Sequence, residues 1–301
     1  MPTDVQTRKP SATVRTLLED VVDYAGLFPP ATLPLADAIQ NYAAYQAGVN
    51  AWMLGRFVVP ASRLPEVATL LPAVAKSYLP FRISALVEKE FASDLEHVAK
   101  FNREAGLYGR VDAIEMTPEL HTRIENVVST GPRGVTAYFE LPLDAHLELL
   151  QTIARTRARA KARTGGVRPE AIPSASDLAT FIANCADAGV AFKATAGLHH
   201  PIRCVRPLTY EPNAITGEMH GFLNVVMASA FAIAGMPADE IGEVLGERQA
   251  SSFVFTDSEA KWRGKSVPAA ILRKTRERLF VSFGSCSFEE PVEELVSLGL
   301  L

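Results

Sequence analysis

Short apolar runs alternate along this chain with amphipathic helical stretches, and the pair recurs about every 25–30 residues. No other feature restricts the fold as strongly, because consecutive strands joined through a helix must lie parallel. The run 51–59 reads as a strand and 64–77 as its helix. The pairs 81–89 with 94–104, 111–117 with 118–128, and 135–143 with 145–157 repeat the pattern. Ahead of them, a polar stretch at 1–10, expected to fray, precedes a short helix capped by Ser11. The YAGLF piece around residue 24, stopped by Pro29 and Pro30, supplies a first strand before a helix at 35–45. Strands near 158 and 190 flank a helix at 174–188, whose Leu178, Phe181, Ile182 and Cys185 recur at helical spacing. A last strand, 280–287, leads into a closing helix.

Eight such strands predict one α/β domain over 1–301, a (β/α)8 barrel of the TIM type rather than an open sheet. No G-x-G-x-x-G run follows the first strand, which argues against a dinucleotide-binding sheet. One interval breaks the period: 201–279 separates strands seven and eight. It reads as an insertion on the carboxyl face of the barrel, a lid or a subunit contact. Its apolar helix, 222–234, is assigned to core or subunit interface. Its basic helix, with Arg273, Lys274, Arg276 and Arg278, is assigned to a solvated face.

Strand side chains alternate, and the outer face of a barrel strand packs on apolar helices, so polar alternate positions must point inward. Glu115 shares a face with Val111 and Ala113, Glu140 with Thr136 and Tyr138, Lys161 with Arg159 and Arg163, and Lys193 with Ala191 and Thr195. These groups converge at the carboxyl ends of strands four to seven, where barrel active sites sit. Arg56, read as lying at the end of strand two, joins them. A buried Lys–Glu pair can be no more than a satisfied ion pair. Two lysines, two glutamates and an arginine at one end favour chemistry. A lysine is a nucleophile only as the neutral amine, which burial and a second nearby cation both favour. Lys161 and Lys193, on neighbouring strands, therefore suit Schiff-base formation with a carbonyl compound. Glu115 is placed to shuttle protons through a water.

The same stretches resemble the deoxyribose-phosphate aldolases, class I aldolases on this type of barrel. KARTG at 161–165 resembles the KTSTG-type run around that family's Schiff-base lysine, and FKATAG at 192–197 its FKPAGG-type run with the second lysine. FGSCS at 283–287 resembles the FGASS run whose backbone helps hold a substrate phosphate, and VDAIEM at 111–116 the strand with the catalytic acid. The resemblance implies that Lys161 forms the Schiff base, that Lys193 is the cation favouring its neutral amine, and that Glu115 is the acid. It implies a substrate contact through the backbone of Gly284 and Ser285; Arg163, able to bind a carboxylate or phosphate, and Thr164 and Thr195 beside the lysines are taken as further substrate contacts. The chain departs from the family pattern in the Glu for Asp, in the single Gly197, and in the long stretch 201–279. It also departs in Glu289 and Glu290, which follow FGSCS and would neutralise a helix dipole that a phosphate needs. Ser287 with Glu290 reads equally as a capping box.

His199 and His200 point opposite ways in extended chain, so one of them, His199, is taken to face the site as a substrate contact. Cys286 sits at a helix start but reads as a small buried thiol. Three scattered cysteines give neither a disulfide framework nor a zinc spacing. A net charge of −4 draws the chain toward neither nucleic acid nor membrane, and neither a leader nor a membrane-length apolar run is evident, so a cytoplasmic location is expected. The reading is an aldolase-like lyase acting on a small carbonyl compound with no metal and no cofactor, homo-oligomerisation being left open. Two rivals stand beside it: a metal-dependent lyase or hydrolase on the same barrel, and a non-catalytic barrel that binds an anionic ligand through its Arg/Glu cluster.

Overall fold

The computed structural model describes residues 9–76, 79–88 and 90–301. Residues 1–8 of the polar N-terminal stretch, Ser77 at the expected end of the third helix, and Lys89 at the expected end of a strand lie outside them.

Eight parallel strands close into a barrel. They are β1 (Val22–Tyr24), β2 (Leu54–Pro60), β3 (Phe81–Val87), β4 (Gly109–Met116), β5 (Thr136–Glu140), β6 (Arg159–Arg163), β7 (Phe192–Thr195) and, after the hairpin β8 (Cys204–Pro207) and β9 (Thr216–Met219) and the small sheet β10 (Phe253–Phe255), β11 (Glu259–Trp262) and β12 (Lys265–Pro268), the closing strand β13 (Phe280–Ser285). Closure comes from β1, which pairs with β13 through Val22↔Phe283 and with β2 through Val22↔Leu54. Helices α1 (Ala12–Leu18), α2 (Leu35–Ala47), α3 (Leu64–Val74), α4 (Phe91–Glu104), α5 (Ile124–Thr130), α6 (Leu147–Thr156), α7 (Ala175–Ala188), α8 (Phe222–Ile233), α9 (Ala238–Gly246), α10 (Ala269–Arg278) and α11 (Glu289–Ser297) accompany them.

The apolar core is the shell between strands and helices. In β6 and β7 the outward residues Ala160, Ala162, Phe192 and Ala194 are fully buried under helices. Phe192 meets Phe181 of α7 edge-on at 5.5 Å and Phe280 of β13 at 5.4 Å. Helix α7 begins where Ser174 Oγ accepts from Asp177 N and stops at Gly189, whose φ of 67° reverses the chain into β7.

The structure refines three expectations. The first strand is Val22–Tyr24, not YAGLF; residues from Ala25 onward already turn above the barrel, with Ala25 N bonded to Ser285 O. The stretch 201–279 divides into parts with different places in the fold. Its apolar helix α8 lies against α7, α9, α10 and β13 of the same chain, and Phe222 stacks on Phe283 at 5.0 Å. The β8–β9 hairpin end reaches the mouth, where Leu208 and Tyr210 lie near Pro30, His199 and Glu290. Third, the basic helix is not wholly solvated. Arg276 turns inward and donates to the carbonyls of Phe280 at 2.6 Å and Glu19 at 2.6 Å, tying α10 to the start of the barrel.

No helix among the described residues is long and apolar enough to cross a membrane.

Candidate functional site

Register fixes the site before any side chain is considered. Lys161 lies opposite Lys193 in the β6–β7 pair, Glu140 opposite Lys161 in β5–β6, and Leu86 opposite Glu115 in β3–β4. A bulge lets β4 carry one extra residue, Asp112, between Val111 and Ala113, which puts Ala113 and Glu115 on the inner face. The four ionisable side chains enter the barrel at its carboxyl end and are at most 4% exposed.

Charges that deep must be paired. Glu115 links the two lysines, with Oε2 3.5 Å from Lys161 Nζ and Oε1 2.6 Å from Lys193 Nζ. Lys161 also lies 3.1 Å from Glu140, whose other oxygen accepts from Arg163 Nε at 2.8 Å. Lys193 is held on its far side by Asp23 at 2.5 Å and stands over the Tyr138 ring, 5.6 Å from its centroid. Asp23 accepts in turn from Ser282 Oγ at 2.7 Å and from the Arg56 amide at 2.7 Å, and Ser84 Oγ donates to Glu115 at 2.8 Å. Burial alone would raise the Glu115 carboxyl, but the Lys193 and Lys161 ammoniums and the Ser84 and Lys193 hydrogen bonds outweigh it and lower it to about 2. Burial likewise opposes the Lys193 charge, and Asp23 and Glu115 reverse that, raising its pKa above the ordinary lysine value. Both directions favour the ion pair, an ammonium on Lys193 and a carboxylate on Glu115.

Above this layer opens a cavity of about 300 Å³. Lys161, Lys193, Glu115, Glu140, Arg163, Thr195, His199 and Gly284 all line it. Arg56 does not. It lies near the start of β2 and pairs with Asp112 at 2.6 Å, below the lysine layer. Thr164 is turned away, its hydroxyl donating to Ala196 O at 2.6 Å, and Ser285 Oγ contacts His199 Nδ1 at 3.3 Å behind the cavity wall. The chain after β7 takes two left-handed residues in succession, Ala196 at φ 60° and Gly197 at 77°. A side chain at Gly197 would come within 2.8 Å of Gly165 Cα, so the β6 and β7 loops touch only because both are glycine.

Sequence reasoning missed a second cluster at the rim. His199 Nδ1 lies 3.1 Å from Glu290 Oε2 and 3.9 Å from Cys286 Sγ, and Tyr210 of the hairpin donates to Glu290 at 3.1 Å. Burial opposes an imidazolium there, but the hydrogen bonds to Cys286 and Glu290 outweigh it and raise His199 to about 9. Glu290 N donates to Ser287 Oγ at 3.1 Å, so half of the capping box forms, while the Glu290 side chain goes to His199 instead of back to the cap. His200 turns away to Glu294 at 2.7 Å. Asp23, Ser84 and Ser282 were missed as well, although each is a polar residue between outward apolar neighbours. No group of three or more His, Cys, Asp or Glu side chains among the described residues is placed to hold a metal ion.

No family model matches the chain, and no curated protein matches it. Among solved structures it is similar to the deoxyribose phosphate aldolase of Aeropyrum pernix, at 11% identity over 63% of this chain and 86% of that one, with a TM-score of 0.43. It is also similar to FabK of Thermotoga maritima, at 14% identity over 65% of this chain and 56% of that one, with a TM-score of 0.37. Neither likeness is close enough to bear on chemistry.

Proposed function

We propose that this chain is an aldol-type carbon–carbon lyase that works through a Schiff base on Lys161. One observation carries the reading: two buried lysines on adjacent strands share the Glu115 carboxylate at the floor of a cavity that opens to the barrel mouth. Lys193, paired with both Asp23 and Glu115, supplies the positive charge beside Lys161, and Lys161, less tightly paired, is the amine that attacks. Glu140, 3.1 Å from Lys161 Nζ, accepts the ammonium proton.

The neutral amine then adds to the substrate carbonyl, forming a carbon–nitrogen bond while the carbonyl oxygen takes a proton. Loss of water leaves an iminium, whose charge Glu115 and Glu140 offset where the ammonium had been. In the cleavage direction the β-hydroxyl gives its proton to Glu140 and becomes a carbonyl, the Cα–Cβ electron pair moves into an enamine, and that proton is the one later returned to the enamine carbon. Protonation of the enamine carbon and hydrolysis release the second product and restore the amine. In synthesis the same steps run backward. His199, with its Nδ1 occupied by Glu290, lines the cavity as a contact for the substrate oxygen.

The test is borohydride reduction in the presence of short aldehydes and ketones, read by intact-mass and peptide mass spectrometry. An adduct on Lys161 is expected, and Lys161→Met abolishes it. An adduct on Lys193 alone exchanges the two roles. A substrate that is turned over without any adduct sinks the Schiff-base mechanism.

A further inference from the structure

Among the described residues, the cations lining the cavity are Lys161, Lys193, Arg163 and His199, and each already has its carboxylate. Lys161 and Arg163 lie on Glu140, Lys193 on Asp23 and Glu115, and His199 on Glu290. Four cations thus face four carboxylates. Attack by Lys161 requires loss of its proton, which adds no positive charge whether the proton goes to Glu140 or to water. At the two lysines an incoming phosphate or carboxylate would have to displace a protein carboxylate from a buried pair, and the displaced group would lose its partner in a low-dielectric site; Arg163, half exposed at the mouth, already has its Nε on Glu140.

The rim is closed to anions in the same way. Helix α11 opens with Glu289 and Glu290, and the amides of Ser287 and Glu290 already donate to Ser285 Oγ and Ser287 Oγ. The rest of the wall is mostly apolar, with Ala25, Phe28, Pro29, Val58, Leu86 and Val167, and its polar members Thr117, Thr195 and Cys286 add no cation.

We propose that the site takes a short, uncharged carbonyl compound and rejects phosphorylated or carboxylated ones, with Glu290 setting that selectivity by occupying the imidazolium of His199. The proposal rests on the lyase reading for the bond that is cleaved, but not for the charge preference. Glu290 does not line the cavity; it acts through His199 as a positioning residue.

Two matched pairs test it: butanal against 4-oxobutanoate, and glyceraldehyde against glyceraldehyde 3-phosphate, each reduced onto the protein with borohydride. The uncharged member of each pair is expected to label Lys161 at least about tenfold faster. Glu290→Gln, followed as the pH is lowered so that His199 becomes protonated without its carboxylate, should narrow that ratio severalfold. Saturation-transfer NMR of Lys161→Met with butan-1-ol and butyl phosphate reads charge preference without covalent chemistry. If no aldehyde labels the lysine but butan-1-ol still binds in preference to butyl phosphate, the lyase reading fails and the selectivity stands. Equal or faster labelling by the anionic members, tighter binding of butyl phosphate, or binding of neither alcohol nor phosphate overturns the proposal. A ratio unmoved in Glu290→Gln overturns the assignment to Glu290.

Discussion

Lys193 shows how one side chain would serve stability and, in the proposed mechanism, chemistry together. It is 1% exposed and lies between two carboxylates that are themselves buried. Lys193→Met leaves Asp23 without its cation and Glu115 with Lys161 alone, which should destabilise the fold by about 3–5 kcal/mol. Adding Asp23→Asn should recover part of that loss, as measured by urea unfolding. In variant protein that remains folded, the activity profile should move to higher pH, because Glu115 then acts on the Lys161 ammonium without a competing charge. Lys161→Met should cost less stability, since Glu115 keeps Lys193 and Glu140 keeps Arg163. The two lysines therefore separate by assay: one variant loses labelling with modest destabilisation, the other loses stability first.

Among the elements, the loops after β6 and β7 set the spacing of the groups at the cavity mouth. Gly165 and Gly197 abut where Thr164 ties β6 to the carbonyl of Ala196. Gly197→Ala should cost about 1–3 kcal/mol, from its positive φ and from the clash with Gly165. It should also slow Lys161 labelling, because Thr195 and His199 flank the displaced turn. Gly264 provides the control: its φ of 83° is equally left-handed, but nothing lies within 4 Å. Gly264→Ala should lower the thermal midpoint by less and leave labelling unchanged. The contrast separates backbone strain from the loop contact.

For the molecule as a whole, the two ends of the pH scale report on the two clusters. His199 sits near 9 in the folded chain against an ordinary 6.5. Its ion pair with Glu290 therefore stabilises fully below about pH 6.5, and the contribution is lost as pH rises through about 9. Glu115 sits near 2 against an ordinary 4.5. Its contribution is present above about pH 4.5 and is lost as pH falls through about 2. The difference in unfolding free energy between the protein and its His199→Gln variant should be widest at pH 6 and shrink toward pH 9.5. A gap independent of pH in chemical denaturation would mean that His199 is held by packing rather than by charge.

The period of strands and helices, and the alternation within β4, β5, β6 and β7, were enough to place Glu115, Glu140, Lys161 and Lys193 inside one end of a barrel. Those signals are local: a side chain's face follows from parity, and parallel pairing follows from an intervening helix. What parity cannot supply is height within the barrel or the distance between strands remote in sequence. Arg56 has inward parity but lies below the cavity, because β2 begins at Leu54 and carries it low. Asp23 was lost when the first strand was read two residues late, since three residues are too few to show a period. The pairing of His199 with Glu290, 91 residues apart, exists only once β7 and β13 lie side by side. The apolar helix α8 could have been buried by any partner; α7, α9 and β13 of its own chain bury it, and that choice belongs to the tertiary structure, where the remaining apolar surface is removed from water.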